Sequence, residues 1–92
     1  MDDLNEEELA KALARALKAL RKYNEYSLQT VSAGTEIPFQ TIARYENGEN
    51  IPSVLQAYKL ARFYQFPLND LFLLGATEGI EEDYADILDE WK

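Results

Sequence analysis

The 92-residue sequence predicts an all-α fold, in which about five or six short helices pack around one small core. Apolar residues recur at intervals of three and four along most of the chain, the spacing that lines one face of a helix. No segment alternates apolar and polar residues with the period of two that a half-buried strand requires. Prolines and glycines separate the periodic segments by short connections, as in compact helical domains. We therefore expect one domain over residues 1–92.

The first predicted helix is the longest and spans about residues 6–23. Acidic residues occupy its first turn, and Arg21 and Lys22 occupy its last turn, so that each sign of charge complements the helix dipole. Its apolar face is a leucine repeat with intervals of four, four and three residues, formed by Leu9, Leu13, Leu17 and Leu20.

Two short helices follow and form a tight corner. Ser27 is of the residue type that caps a helix N-terminus, which predicts a helix over about 27–34. Pro38 suits the first turn of the next helix, because the N–H that proline lacks would have no partner there. Gly48 ends that helix, since a glycine just past the last turn readily takes the left-handed conformation. The second helix of the corner thus covers about residues 38–47.

The fourth and fifth helices are predicted from their N-terminal residues. Ser53 and Gln56 form a capping box that opens the fourth helix, directly after Pro52. Pro67 opens the fifth helix in the segment "FPLNDLF". The side of the fourth helix that faces the core is predicted to consist of Val54, Ala57, Tyr58, Leu60 and Ala61.

The formal net charge is −8, but the acidic residues are concentrated at the two ends of the chain. Twelve of the 17 acidic residues lie within residues 1–8 and 76–92. Residues 9–75 hold eight basic and five acidic side chains, a net charge of +3. The middle of the chain is therefore compatible with a polyanionic partner, although the whole chain is acidic.

Two residue types that commonly carry catalysis or bind metals, histidine and cysteine, are missing. The chain has no histidine and no cysteine, which excludes Cys/His zinc sites, thiolate chemistry and disulfides. It contains no glycine-rich phosphate loop and no nucleophile motif. No apolar run reaches the roughly 20 residues of a membrane span, and the N-terminus is acidic before it is apolar, the reverse of a secretory signal. We expect a non-enzymatic protein of the reducing cytoplasm, without a cofactor, a metal or a membrane partner.

Four short motifs occur in register within residues 20–72. They are an arginine followed by the serine that opens the second helix, in "RKYNEYS"; "YENG" at the end of the third helix; the pair "PS" before the fourth helix; and "FPLNDLF" at the fifth helix. On these motifs the segment resembles the lambda-repressor-like (Cro/repressor-type, XRE-like) helix-turn-helix DNA-binding family. The resemblance implies a five-helix helix-turn-helix domain, to which segment 76–92 adds an acidic amphipathic C-terminal helix. It also implies a sequence-specific transcription regulator of repressor type, whose partner is double-stranded DNA.

The resemblance implies that residues 38–46 are the recognition helix, which lies in the major groove of DNA. Glutamine can bridge adenine N6 and N7, arginine can bind guanine O6 and N7, and an aromatic ring can pack on a thymine methyl. Gln29 and nearby backbone amides are expected on phosphates. The side chains expected at the bases are Phe39, Gln40, Arg44 and, beside them, Thr41.

The resemblance also implies a structural ion pair between Arg21 and Glu46, the glutamate of "YENG". Three positions depart from the family pattern. Leu28 replaces a glutamine that supports DNA contact, Glu36 replaces the turn glycine, and Glu49 lies where basic residues are common. Because neutralised phosphates supply much of the affinity, these departures predict weak, salt-sensitive binding or none. The alternative is a protein–protein interaction module on the same fold.

The segment 76–92 carries an apolar face that must bury against something, because such a face left exposed favours association. Three arrangements remain open at this stage. The helix could pack on helix 1, it could cross to a second copy in a homodimer, or it could compete with DNA for a basic stripe on helix 1. The stripe comprises Lys11, Arg15, Lys18 and Lys22. The apolar face comprises Ile80, Tyr84, Ile87, Leu88 and Trp91.

Overall fold

The computed structural model describes residues 5–91, which form six α-helices and no strand within that range. The predicted all-α fold is confirmed. Residues 1–4 and Lys92, which the predicted domain and the acidic segment include, lie outside the described residues. The helices are α1 (Glu6–Tyr23), α2 (Leu28–Thr35), α3 (Phe39–Glu46), α4 (Val54–Tyr64), α5 (Leu68–Ala76) and α6 (Tyr84–Trp91).

Side-chain caps fix where three of the helices begin. Asn5 Oδ1 accepts the Glu8 N–H at 2.8 Å and caps α1. Ser27 Oγ accepts the Thr30 N–H at 3.1 Å, and Ser53 Oγ accepts the N–H of the third helical residue of α4 at 3.1 Å. Each cap satisfies one of the N–H groups that have no partner inside the helix. The predicted caps Ser27 and Ser53 are confirmed.

The helix α1 is the centre of the fold, and α3, α5 and α6 all pack against it. Its leucines Leu13, Leu17 and Leu20 are buried, with small alanines between them. The helix α5 approaches α1 closely at Gly75, where a Cβ atom would lie 1.7 Å from the Ala12 carbonyl oxygen. Only a glycine permits this contact, because the space of the missing side chain is filled by the backbone of α1.

The helix α4 has a different buried side from the one predicted. Ala57, Leu60 and Ala61 are buried, but Val54 is 80% exposed and Tyr58 is 49% exposed. The prediction that Val54 and Tyr58 face the core is therefore wrong. The helix is apolar around most of its circumference, so the spacing allowed two orientations, and the packing of α2 and α5 selects the alanine side.

The acidic segment after α5 is partly irregular. Thr77 has an extended backbone with ψ 130°, and Gly79 has a positive φ of 85°, so turns fill the chain until α6 begins. The helix α6 packs on α1 within the chain. The ring centroids of Trp91 and Phe66 lie 5.3 Å apart, and the Tyr23 hydroxyl donates to Asp89 Oδ1 at 2.5 Å.

Candidate nucleic-acid interface

The helix α3 presents one buried side and one exposed side. Its inner side chains Ile42 and Tyr45 are buried in the core. At a rise of about 1.5 Å per residue, the eight residues of α3 span about 12 Å, which matches the width of the major groove of B-DNA. The residues predicted to read bases all lie on α3: Phe39, Gln40 and Arg44 are exposed, and Thr41 is half-buried.

The corner between α2 and α3 is fixed by hydrogen bonds of short polar side chains. Thr35 Oγ1 donates to the Val31 carbonyl at 2.8 Å and accepts the Ile37 N–H at 3.3 Å. Ser32 Oγ donates to the Ile37 carbonyl at 2.5 Å. Glu36, the residue in the place of the usual turn glycine, has a left-handed φ of 64° and caps α2. The structure thus gives the physical reason why a glycine suits this position.

Arg21 and Glu46 form a bidentate ion pair that joins the end of α1 to the end of α3. Arg21 Nε lies 2.8 Å from Glu46 Oε2, and Arg21 Nη2 lies 3.0 Å from Glu46 Oε1. Arg21 Nη1 also donates to the Tyr26 carbonyl at 3.1 Å. The Glu46 side chain is 4% exposed and that of Arg21 is 19% exposed, so the pair is largely shielded from water. The hydrogen bond to Glu46 raises the pKa of the Arg21 guanidinium.

An aromatic cluster lies beside this pair. The Tyr64 ring packs edge-on against Phe63 with centroids 5.1 Å apart, and Tyr26 stacks on Tyr64 at 6.4 Å. Burial raises the pKa of the Tyr64 phenol well above its ordinary value of 10.0, and the Glu46 carboxylate raises it further. The phenol of Tyr64 therefore lies within the electrostatic influence of the ion pair that joins α1 to α3.

Around the exposed side of α3 the charges are mixed. Arg44 is exposed on α3, and Glu36 and Glu49 are exposed before and after the helix. Gln29, predicted at a phosphate, is exposed in the first turn of α2. Leu28 packs against the core, so the departure at this position removes a polar group from the α2 N-terminus and adds an apolar contact.

The basic stripe of α1 lies next to the C-terminal segment. A cleft of about 340 Å³ between α1 and that segment is lined by Arg15, Lys18 and Lys22, together with Ile80 and Tyr84. Lys22 Nζ lies 5.9 Å from the Tyr84 ring centroid, and Arg15 Nε donates to the Gly75 carbonyl at 2.9 Å. Arg15 and Lys22 of the basic stripe therefore contact other groups of the same chain.

The side chains of the predicted packing face differ in burial. Ile80 and Leu88 are buried, Tyr84 and Ile87 are half-buried, and Trp91 is 37% exposed. Sequence reasoning missed a second exposed apolar group of side chains, which comprises Ile51 in the connection before α4 and Val54, Leu55 and Tyr58 on α4. The signal is present in the sequence as intervals of three, one and three residues, but the side of α4 that is predicted to face the core includes Val54 and Tyr58.

A comparison with known families matches a family model described as helix-turn-helix to residues 17–71. This range covers more than half of the 92 residues and contains α2, α3 and α4. No curated protein and no solved structure matches the chain. None of the helices within residues 5–91 is both long and apolar enough to cross a membrane. The chain belongs to the helix-turn-helix family of the XRE and lambda-repressor-like type.

Proposed function

We propose that the protein is a sequence-specific DNA-binding transcription regulator of repressor type, which acts in the cytoplasm and catalyses no reaction. Residues 20–72 are the DNA-binding module in this proposal, and residues 38–46 are its recognition helix. The observation that carries the proposal is the side of α3 that faces solvent, where Gln40 and Arg44 are exposed on a helix whose opposite side is buried. Family membership supports the same function.

Each exposed side chain of α3 has a chemistry that suits a base edge. Arg44 can donate two hydrogen bonds to guanine, and Gln40 can both donate to and accept from adenine. Phe39 can pack on a thymine methyl, and the shorter side chain of Thr41, next to Gln40 in the chain, can contact a base edge through its hydroxyl. Each good bidentate contact contributes about 1–3 kcal/mol of discrimination between bases. In this proposal the corner hydrogen bonds and the Arg21–Glu46 pair fix the orientation of α3, on which base selectivity depends.

Phosphate contacts are few in this proposal. Gln29 and the backbone amides at the start of α2 can bind phosphate oxygens, because helix N-termini attract anions. The exposed carboxylates Glu36 and Glu49 oppose this attraction. We therefore expect modest affinity and a specificity that depends more on bases than on the backbone.

A protein-interaction module is the second candidate function, and one observation favours it. Phe39 is 40% exposed on α3, and an exposed aromatic ring is typical of protein interfaces as well as of base contacts. In this case α3 binds another protein, and DNA affinity is absent.

Fluorescence anisotropy with a labelled random duplex separates the two functions. At about 50 mM salt we expect measurable binding, which weakens about tenfold or more at about 200 mM. No binding at the lower salt would contradict the proposal and favour the protein-interaction module.

The role of Arg44 is tested on a binding site selected from a random library. Arg44→Ala is expected to lose about 1–3 kcal/mol of discrimination at one base pair. Lys11→Ala is the matched control, because it removes one charge from an exposed side chain of α1 that pairs with Glu7 at 3.4 Å. If the two variants show the same base preferences, Arg44 does not read a base.

A further inference from the structure

The cleft between α1 and the C-terminal segment that follows α5 has two walls of different chemistry. Arg15, Lys18 and Lys22 line it on α1, at intervals of three and four residues that place them on consecutive turns of one side of the helix. Ile80 and Tyr84 line the opposite wall. Its volume of about 340 Å³ lies at the lower end of the range of about 300–1,000 Å³ that is usual for ligand pockets. The cleft therefore has the size of a site for a small molecule.

The apolar lining of the cleft is part of the packed fold. Ala19 and Ile80 are buried and belong to the hydrophobic core, and the half-buried Tyr84 ring packs against that core. Because close packing holds these side chains in place, the apolar surface exists before a ligand enters. It can receive the apolar body of a ligand, as in most small-molecule sites.

The basic side chains of the cleft are not neutralised by the acidic chain that carries them. Lys11, which belongs to the same stripe but lies outside the cleft, forms an ion pair with a glutamate one turn away at 3.4 Å. Within residues 5–91, neither Lys18 nor Lys22 forms an ion pair. Arg15 donates its Nε–H to the Gly75 carbonyl at 2.9 Å, which fixes the guanidinium beside the cleft, and its other N–H groups donate to no atom of the described residues. The cleft thus holds cationic donors that await an anion.

We infer that the cleft binds a small organic monoanion, an aromatic carboxylate. Three basic and two acidic side chains line it, which leaves a surplus of one positive charge. One carboxylate balances that surplus, whereas a polyanion would be repelled by the lining residues Glu46 and Glu81. The carboxylate accepts charge-assisted hydrogen bonds from Arg15 and Lys18, and the ring packs against Tyr84.

The inference goes beyond the proposed function, because it concerns a site whose walls are α1 and the C-terminal segment and it requires no DNA. A ligand in the cleft contacts both walls, so it binds the folded chain and not the unfolded chain. At about ten times the Kd, such a ligand raises the ratio of folded to unfolded chain about tenfold. For a domain of this size, that change corresponds to a rise in Tm of about 7 °C.

Nuclear magnetic resonance of the full chain without DNA tests the inference, with 3-phenylpropanoate as the probe. The expected result is a saturable shift of the amide resonances of residues 15–22 and 80–84, with a Kd of about 1 mM or below. Two further probes separate the charge from the ring. The neutral 3-phenylpropanamide has the same shape without the charge, and acetate has the charge without the ring. Each should bind at least about tenfold more weakly.

Two variants with the same change of charge locate the site on α1. Lys18→Gln removes a cation that lines the cleft, and it is expected to weaken the binding of 3-phenylpropanoate about threefold or more. Lys11→Gln is the matched control, because Lys11 is an exposed lysine of the same helix and lines no part of the cleft. It should leave the affinity unchanged. Circular dichroism of each variant shows whether the helices are intact.

Four results would overturn the inference. They are no saturable shift up to about 20 mM probe, equal affinities for 3-phenylpropanoate and its amide, equal affinities for 3-phenylpropanoate and acetate, or equal losses in the two glutamine variants. Anisotropy with duplex DNA is measured separately. If Lys18→Gln weakens only duplex binding, Lys18 contacts phosphate and the ligand site is wrong, while the proposed function stands. A chain that binds the carboxylate but no duplex contradicts the proposed function alone.

Discussion

Replacing Glu46 with alanine is expected to lower the free energy of unfolding by about 3 kcal/mol. The change removes both bonds of the bidentate pair and leaves the partly buried Arg21 guanidinium without a counter-charge at this position. Breaking a buried pair by removing one partner costs about 3–5 kcal/mol. Arg21 retains its bond to the Tyr26 carbonyl, and 19% of its side chain is exposed, so we expect the lower end of that range.

The expected change in melting temperature follows from the size of the domain. At about 2.1 cal/mol/K per residue, a chain of 92 residues loses about 5 °C for each kcal/mol. Glu46→Ala should therefore lower the Tm by about 15 °C, measured by circular dichroism or calorimetry. Glu49→Ala is the control, because this exposed glutamate lies just beyond α3 and its removal should change the stability by about 0.5 kcal/mol or less.

A double-mutant cycle then assigns the loss to the pair. Arg21→Ala and the double variant are measured beside Glu46→Ala, and the coupling free energy is expected to exceed about 1 kcal/mol. If Glu46→Ala costs less than about 1 kcal/mol, or if the coupling is near zero, the pair does not hold α3 to α1. The orientation of α3 would then depend on core packing and not on this pair.

Three further predictions concern the backbone and the aromatic cluster. Glu36→Gly should stabilise the fold by about 1 kcal/mol, because residue 36 has a left-handed φ of 64°, and it should strengthen DNA binding because a carboxylate is removed. Gln65→Gly is the control: residue 65 has a φ of 55°, so this change should raise the Tm without strengthening DNA binding. Gly75→Ala should lower the free energy of unfolding by about 1–3 kcal/mol or more, since the new Cβ meets the Ala12 carbonyl. Ala76→Ser, at an exposed position, is the control and should change the Tm little. Equal Tm values for the two variants would contradict the close packing of α5 on α1. Because the pKa of Tyr64 is raised in the folded chain, the unfolded chain loses this proton at lower pH, so the contribution of Tyr64 to the free energy of unfolding is intact below pH 10.0 and falls as the pH rises above it. Tyr64→Phe should reduce this alkaline loss of stability, measured by urea titrations at several pH values. An unchanged loss would contradict the assignment of the alkaline loss to Tyr64.

Local signals in the sequence predicted most of the helices. Ser27 and Ser53 mark the starts of α2 and α4, because a serine in that position can accept an unpaired N–H wherever the helix lies in the fold. The expectation that Arg21 pairs with Glu46 came from the family resemblance, since 25 residues separate the two and no local pattern links them. The same limit applies to the base-reading side chains of α3, which remain predictions.

Features that depend on tertiary packing are less predictable from the sequence. The apolar residues of α4 cover two sides of the helix, and only the positions of α2 and α5 determine which side is buried, so Val54 and Tyr58 were placed wrongly. The segment before α6 has helical spacing at Ile80 and Tyr84, but Gly79 adopts a positive φ and the chain turns there. Neither outcome could be read from periodicity, because periodicity describes one helix and not its neighbours.

The contact between Trp91 and Phe66 gives the molecule an internal spectroscopic probe. Trp91 is the only tryptophan of the sequence, so indole emission reports the environment of α6 alone, whereas far-ultraviolet ellipticity reports every helix. Unfolding curves recorded by the two signals coincide only if α6 melts together with the remaining helices. The acidic terminal helix can thus be followed in solution without a label, which distinguishes its detachment from global denaturation.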